Sequence, residues 1–161
     1  MTTDISDTAA PAAFDNESEL IQRLYGSLVA REGFDAFLQL LGNVIGASAC
    51  TLSCVEREPL AIRYLWHTGL PESFVEHFLE QGMLDRDVVF NSAARRSPSG
   101  FLTAPDALRD LQRQGRAEFW AESYDMSLKI GFQEAAWMVV HAVEDSVIVL
   151  SLLRAKGSSP Y

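Results

Sequence analysis

The sequence predicts an α+β fold, an α/β/α sandwich in which helices flank a roughly five-stranded antiparallel sheet. The first observation is a change of hydrophobic period. Apolar residues recur every three or four positions up to Ile45, at every second position from Ala49 to Thr68, and at helical spacing again after Leu70. The second observation is that the last two apolar stretches are apolar at nearly every position, which indicates a sheet covered on both faces. The 161 residues, 48% of them apolar, suffice for one domain with a core.

The first half of the chain predicts two helices followed by a β-hairpin. The first helix spans about 17–29, with Asp15 or Asn16 as its N-cap, and the second spans about 34–45. The inward stripe of the first helix is formed by Leu20, Ile21, Leu24, Tyr25, Leu28 and Val29. The stretches 49–56 and 61–68 form an antiparallel hairpin, because a polar turn that contains proline joins them.

The middle of the chain predicts an amphipathic helix over 70–83, within the longer stretch Leu70 to Phe90. Pro71 suits the first helical position, where its missing N–H costs nothing. One face of this helix is apolar and contains Phe74, Val75, Phe78, Leu79 and Met83. An irregular region over 91–103 follows, with a short strand near Phe101.

The last third predicts two helices and a second hairpin. Thr103 is the expected N-cap of a helix that reaches about Gln114, with Asp106 at the third helical position. A further helix spans 116–128. The long strands 132–143 and 146–154 then pair around an acidic turn.

The domain limits follow from composition. Residues 1–15 are small, polar and acidic, and are predicted to be a disordered tail; 16–156 are predicted to form a single domain, and 157–161 a flexible end with no helix-turn-helix domain following. The start has neither the basic residues nor the apolar core of a secretory signal, and no apolar run is long enough to cross a bilayer. We therefore predict a cytoplasmic protein that does not bind membranes.

Charge and motifs exclude several function classes. Twenty-two acidic against 13 basic residues give a net charge of −9, so direct binding of nucleic acid by this chain is not expected. Cys50 and Cys54 lie on one face of a strand, which favours two small core residues over a disulfide. The sequence has no nucleophile–base pair, phosphate-binding loop or metal-ligand spacing, so we predict no enzymatic activity, no metal and no cofactor.

From about Leu20 to Arg154 the chain resembles the N-terminal sensory domain of LuxR-type transcription regulators. Within that class it is similar to the acyl-homoserine-lactone (autoinducer) binding domain of quorum sensing, a sandwich related in shape to PAS and GAF sensors. Three segments carry the resemblance: Gly33 to Phe37, Pro71 to Val89, and Glu118 to Phe132. The resemblance implies a ligand-sensing regulatory domain that acts as a homodimer.

The central helix departs from the lactone-binding pattern at informative positions. Asp87 and Val89 match the Asp-Pro-Val sequence of the family, whose Asp accepts a hydrogen bond from the ligand amide, but Val88 replaces the proline. The family's tryptophan, which donates to the lactone carbonyl, is Phe74 here and cannot donate. Its tyrosine one turn earlier is Leu70. Losing the donor leaves a buried carbonyl unpaired, at a cost of about 1–3 kcal/mol. The prediction is therefore a small apolar or amphipathic ligand, with an acyl-homoserine lactone a less favoured candidate.

Polar and aromatic residues supply the candidate ligand contacts. The set consists of Asp87, Phe74, Tyr64, Trp66, Phe78, Phe90, Trp120, Ser53 and Trp137. Aromatic side chains are numerous enough to line a pocket, although as a group they are first of all core residues. Two alternatives stay open at this point. Asp87 is either a ligand anchor or the N-cap of a short helix, and the domain is either a ligand sensor or a ligand-free module that binds and modulates a LuxR-type regulator.

Overall fold

The computed structural model describes residues 11–80, 100–115, 117, 125 and 128–158. Within these residues, helices and strands follow one another in the expected order. The helices are α1 (Pro11–Ser27), α2 (Asp35–Ile45), α3 (Glu72–Glu80) and α4 (Ala104–Arg113), and the strands are β1 (Ala49–Arg57), β2 (Leu60–Thr68), β3 (Leu102–Thr103), β4 (Phe132–Ala142) and β5 (Ser146–Ala155). The predicted α+β class and the five-stranded antiparallel sheet are confirmed. The helix predicted over 116–128 lies mostly outside the described residues.

The sheet brings the two predicted hairpins together at its centre. Its strand order is β2-β1-β5-β4-β3, and every neighbouring pair is antiparallel. Because β1 pairs with β5, Thr51 lies directly opposite Ser151, and Ser151 in turn lies opposite Trp137 on β4. Residues that are directly opposite in an antiparallel pair point to the same side of the sheet. These three side chains therefore form one row across three strands.

Alternation along the strands divides the sheet into two faces. The cavity face carries Thr51, Ser53, Trp137, Val149 and Ser151, and α3 and α4 pack against it. The α2 face carries the intervening residues, and α2 packs against it; these residues include Cys50, Leu52, Trp66, Leu150 and Leu152. Both faces are covered, as the nearly continuous apolar character of the last two strands predicts.

The α2 face is a close-packed core. Leu38 of α2 and Cys50 of β1 are fully buried in it. Cys50 and Cys54 are both free cysteines. Burial raises the pKa of the Cys50 thiol to about 11, because a thiolate loses its hydration there. Cys50 therefore serves as a small core residue that resists oxidation and alkylation at neutral pH.

The first helix differs from its prediction in start and burial. It begins at Pro11, six residues before the predicted start at Glu17, and so includes part of the predicted tail. A proline suits the first helical position, and two alanines that favour helix follow it. The predicted inward stripe is largely exposed instead, as the exposures of its members show: Ile21 49%, Leu24 38%, Tyr25 67%, Leu28 67% and Val29 89%. Among the described elements, α1 packs mainly on α2 rather than on the sheet.

The start of α4 follows the predicted capping pattern. The Thr103 hydroxyl donates to Asp106 Oδ2 at 2.7 Å, and the Thr103 backbone N–H lies 3.4 Å from the same oxygen. These bonds from Thr103, assisted by Arg109, lower the pKa of Asp106. The helix start is therefore fixed by a charged carboxylate.

Replacing Thr103 by alanine should lower the free energy of unfolding by about 1 kcal/mol, because the cap is lost.

The lowered pKa means that folded Asp106 binds its proton less readily than the unfolded chain does. Its contribution is therefore present above the unfolded-state pKa and is lost as the pH falls through the folded-state pKa. Urea unfolding of wild type, Thr103→Ala and Asp106→Asn at pH 7 and at pH 3 measures both effects. If the free energy of unfolding of Asp106→Asn differed from that of wild type by the same amount at both pH values, this account would be contradicted.

Among the helices that the structure describes, none combines the length and the apolar character that a membrane-spanning segment requires.

Candidate functional site

An apolar cavity of about 100 Å³ lies between the cavity face of the sheet and α3. Strands β1, β2, β4 and β5 form its floor, and α3 covers it. The lining residues are Thr51, Ser53, Ile62, Leu65, Leu70, Phe74, Val75, Phe78, Ile130, Phe132, Trp137, Ser151 and Leu153. Such a concave and mostly apolar site with a few polar groups is typical of small-molecule pockets.

Three residues of α3 form the covering wall. Phe74, Val75 and Phe78 recur at spacings of one, three and four, so they share the helical face that points to the sheet. The rings of Phe74 and Phe78 contact each other, with centroids 5.9 Å apart. Leu79, which was predicted on the same face, is 49% exposed, because its position turns it away from the sheet. Met83 lies outside the described residues.

The position of α3 is set by a tight turn after β2. Gly69 has φ +75°, and a Cβ there would lie 2.1 Å from the Ser48 carbonyl oxygen. Only glycine permits this close approach of two backbones. Across this turn, His67 Nε2 at the end of β2 lies 3.7 Å from the Glu72 carboxylate in the first turn of α3. These contacts fix the start of the helix over the cavity.

The floor of the cavity carries three buried hydroxyl groups in an apolar surround. Thr51, Ser53 and Ser151 are 8%, 0% and 5% exposed. The Ser53 hydroxyl donates to the Val149 carbonyl at 3.3 Å. The Ser151 Oγ has no hydrogen-bond partner among the described residues. A buried hydroxyl without a partner costs about 1–3 kcal/mol, so Ser151 offers an unused donor and acceptor inside the cavity.

The structure brings four of the nine candidate residues to this cavity, namely Ser53, Phe74, Phe78 and Trp137. Tyr64 and Trp66 are not among its lining residues. They pair with Cys54 and Leu52 and so lie on the α2 face, where they stack on each other. Trp66 also packs edge-on against Phe34. The physical reason is the two-residue period of β2, which places Leu65 on the cavity face and its two neighbours on the other.

The remaining candidates, Asp87, Phe90 and Trp120, lie outside the described residues. Their roles stay predictions, as does the alternative that Asp87 caps a helix.

Ser151 and Thr51 were missed by the sequence reasoning. A signal was present, since Ser151 is a hydroxyl residue within the apolar run SVIVLSLL, and Thr51 precedes Ser53 by two positions and so shares its face. What the sequence lacked was the pairing of β1 with β5, which places Thr51 opposite Ser151.

The described lining of the cavity consists of apolar and hydroxyl-bearing side chains. Apolar side chains supply most of the lining, and hydroxyl groups supply the polar contacts. Within the described part of the chain, no group of three or more His, Cys, Asp or Glu residues is placed to hold a metal ion.

Comparison with known families and structures identifies the family of this domain. The sequence model of the autoinducer binding domain family matches residues 18–158. No curated protein sequence matches the chain.

Among solved structures, SdiA in complex with octanoyl-rac-glycerol superimposes with a TM-score of 0.63 at 13% identity, covering 94% of this chain and 58% of that one. The N-acylhomoserine-lactone-dependent LuxR family factor CepR2 from Burkholderia cenocepacia superimposes with a TM-score of 0.62 at 14% identity, covering 92% of this chain and 82% of that one. The ligand-binding domain of VqsR from Pseudomonas aeruginosa superimposes with a TM-score of 0.55 at 13% identity, covering 90% of this chain and 81% of that one. At such low identities these likenesses establish the fold. The chain spans less than two thirds of the length of that SdiA chain.

Proposed function

The chain belongs to the autoinducer-binding domain family of LuxR-type transcription regulators, and on that premise we propose that it senses a small molecule held between the cavity face and α3. The ligand would bind the folded state and not the unfolded chain, and so stabilise the domain. Only a ligand that binds one conformation better than another shifts a regulatory contact. The domain therefore acts by coupling ligand binding to its own conformational equilibrium.

One observation carries this proposal: the cavity combines an apolar lining with a hydroxyl that has no hydrogen-bond partner among the described residues. A filled core would leave neither the space of about 100 Å³ nor such a buried Ser151 Oγ. A ligand oxygen placed at Ser151 removes the unfavourable burial of that hydroxyl.

The cavity chemistry favours an uncharged apolar chain that carries an oxygen. Ser151 can donate to a carbonyl or accept from a hydroxyl group. Phe74 lines the cavity but offers no hydrogen-bond donor, so the polar contact would come from the sheet side. An acyl ester, amide or alcohol meets these requirements, and octanoyl-rac-glycerol, the compound bound in the SdiA structure, is a suitable first probe.

Two measurements test for a ligand. The purified protein is denatured and its extract is examined by mass spectrometry for a stoichiometric small molecule. Its melting temperature is then measured with octanoyl-rac-glycerol and with acyl-homoserine lactones of several chain lengths. A ligand at a hundred times its dissociation constant stabilises by about 2.7 kcal/mol, which raises the melting temperature by about 5–10 °C. No bound molecule and no rise with any compound would overturn the proposal.

Replacing Ser151 by alanine is expected to weaken binding of octanoyl-rac-glycerol about fivefold, since one buried hydrogen bond is worth about 1 kcal/mol. The unliganded variant should be as stable as wild type or more so, because an unpaired hydroxyl is removed. Titration calorimetry and urea unfolding measure the two effects.

The matched control is Ser53→Ala. Its hydroxyl lines the same cavity but is already bonded to the Val149 carbonyl. This variant should lose about 1 kcal/mol of stability while its affinity for octanoyl-rac-glycerol stays near that of wild type. Equal affinity losses in the two variants would show that Ser151 has no special role.

A second candidate function is a ligand-free module that binds a regulator or a second copy of the chain. The uncovered apolar side chains of α1 favour it, because contiguous exposed apolar surface commonly marks a protein interface. Homodimer formation remains a prediction under either function. A melting temperature that no compound changes, in a protein that contains no bound molecule, would favour this second candidate.

A further inference from the structure

The first helix carries a row of apolar side chains that are largely exposed to solvent in a single copy of the chain. This row, the outer stripe, consists of Ile21, Leu24, Tyr25 and Leu28, whose exposed fractions are 49%, 38%, 67% and 67%. The four residues recur at spacings of three and four, so they lie along one side of the helix. A contiguous row of large apolar side chains in contact with water is typical of a protein interface.

The outer stripe is not the side of α1 that packs on α2. Leu20 and Ser27 are the least exposed residues of the helix among those whose burial is described, and their spacing of seven places them on one side. The Ser27 hydroxyl is satisfied within the helix, because it donates to the Arg23 carbonyl at 2.8 Å. Successive residues turn by about 100°, so Ile21 and Leu28 lie about a quarter of a turn from the Leu20 side. The helix therefore presents one side to α2 and an adjoining side to solvent.

The helical path continues beyond the last residue of α1. The backbone N–H of Leu28 donates to the Tyr25 carbonyl at 3.2 Å, and that of Ala30 donates to the Gly26 carbonyl at 3.0 Å. The second of these joins residues four apart, as in an α-helix. Leu28 therefore stays in line with the outer stripe, and Arg31 follows directly at its end.

Charge is distributed unevenly along this segment. Its first half carries Glu17 and Glu19, and its second half carries Arg23 and Arg31. Glu19 and Arg23 pair within the chain, with Oε1 and Nη2 3.6 Å apart. Within the described part of the chain, neither Glu17 nor Arg31 has an ion-pair partner. Both are exposed, so both are available to a second molecule.

The positions of these two charges match a second copy that runs in the opposite direction. Glu17 and Arg31 lie seven residues to either side of Leu24, which is about 10 Å along a helix. An antiparallel pair of helices with its two-fold axis at Leu24 brings Glu17 of each copy next to Arg31 of the other. The exposed Glu32 then falls opposite the uncharged Asn16. A parallel pair would place like charges together instead, which is unfavourable.

We propose that two copies of this chain associate through the outer stripe, with their first helices antiparallel and paired about Leu24. Burial of the apolar side chains drives the association, with Leu28 of one copy beside Ile21 of the other. The two pairs between Glu17 and Arg31 set the direction. One pair of helices gives a small contact area, so the dimer should be weak and should dissociate on dilution.

This inference deepens the second candidate function, because it names the partner as a second copy and identifies the surface. It does not depend on a ligand. Among the described elements, α1 packs mainly on α2, which lies on the sheet face opposite the cavity. The interface and the ligand site are therefore separate, and one molecule can use both.

Sedimentation velocity of the full chain over a range of protein concentrations tests the interface. Wild type should change from monomer to dimer as the concentration rises. Leu28→Gln should raise the dissociation constant at least about tenfold, because the apolar side chain is lost from both copies. The matched control is Val143→Gln, since Val143 is 51% exposed in the turn between β4 and β5. It should dimerise like wild type, and both variants should keep the melting temperature of wild type within a few degrees.

Charge reversal tests the direction of the helices. Glu17→Arg and Arg31→Glu each create two contacts between like charges, so each should weaken the dimer about tenfold. The double variant that carries both substitutions restores opposite charges in an antiparallel pair and should dimerise nearly as tightly as wild type. Far-ultraviolet circular dichroism checks that the helix content is unchanged.

A wild-type protein that stays monomeric at every concentration would overturn the inference and would leave the outer stripe to a partner of different sequence. The sensing function would stand, because its tests measure ligand binding alone. A dimer that Leu28→Gln weakens no more than Val143→Gln does would place the interface elsewhere and overturn the inference too. A double variant that dimerises no more tightly than the single variants would overturn the antiparallel pairing.

Discussion

Replacing Val75 by phenylalanine is expected to weaken ligand binding strongly in a protein that remains folded. Val75 is 7% exposed on α3 and lines the cavity. A benzyl group at this position occupies the space that the ligand needs. Forcing both into the same volume costs at least about 1–3 kcal/mol, so the dissociation constant for octanoyl-rac-glycerol should rise by about tenfold to a hundredfold or more.

The stability of the same variant separates this effect from simple unfolding. Because the added ring fills existing space, the melting temperature of the unliganded protein should change by no more than a few degrees. This corresponds to a change of about 1 kcal/mol in the free energy of unfolding. Val44→Phe is the matched control, since Val44 is 40% exposed on α2 and far from the cavity face. It should bind octanoyl-rac-glycerol like wild type. A Val75→Phe protein that retains full affinity would place the ligand elsewhere.

Replacing Leu38 by alanine should cause the largest loss of stability among the substitutions discussed, about 2–5 kcal/mol. Leu38 is fully buried between α2 and the α2 face, where it packs with Cys50, Leu52 and Leu152. A domain of this kind has a total stability of only about 5–15 kcal/mol. The melting temperature should therefore fall by about 5–15 °C, measured by circular dichroism.

The two substitutions test a division of roles between the sheet faces. Leu38→Ala acts on the face opposite the cavity, so below its melting temperature the variant should bind octanoyl-rac-glycerol with wild-type affinity. Val44→Ala on the same helix should cost far less stability, because its side chain is largely exposed. If the affinity of Leu38→Ala for octanoyl-rac-glycerol fell in proportion to its loss of stability, the two sheet faces would not act independently, and this account would be contradicted.

The fold was predictable because its signals are local. The period changes from helical to alternating at Ala49, and the Thr103–Asp106 pair predicts the start of α4 to within a residue. The order of the strands in the sheet could not be predicted in this way, because it depends on pairing between distant segments. The pairing of β1 with β5 joins segments about 100 residues apart, and periodicity within each strand carries no information about its neighbour.

The candidate site was predictable in part, for the same reason. The helical spacing of Phe74 and Phe78 places both residues on one face of α3, and in the structure that face lines the cavity. Tyr64 and Trp66 illustrate the limit, because both faces of the sheet are covered and so both alternating sets of β2 include apolar residues. A shift of one residue moves a side chain to the opposite face, and the sequence has no feature that distinguishes the cavity face from the α2 face. Ser151 becomes noticeable only when the structure shows that its Oγ has no hydrogen-bond partner within the described part of the chain.

The most direct test of the central claim follows the indole N–H resonances of the tryptophans while octanoyl-rac-glycerol is added. Trp137 lines the cavity, whereas Trp66 packs on the α2 face against Phe34. Each resonance is assigned by replacing the tryptophan with phenylalanine. We predict that the Trp137 signal shifts saturably and that the Trp66 signal stays in place. A saturable shift of Trp66 with Trp137 unchanged, or saturable binding that moves neither signal, would contradict a ligand site between the cavity face and α3.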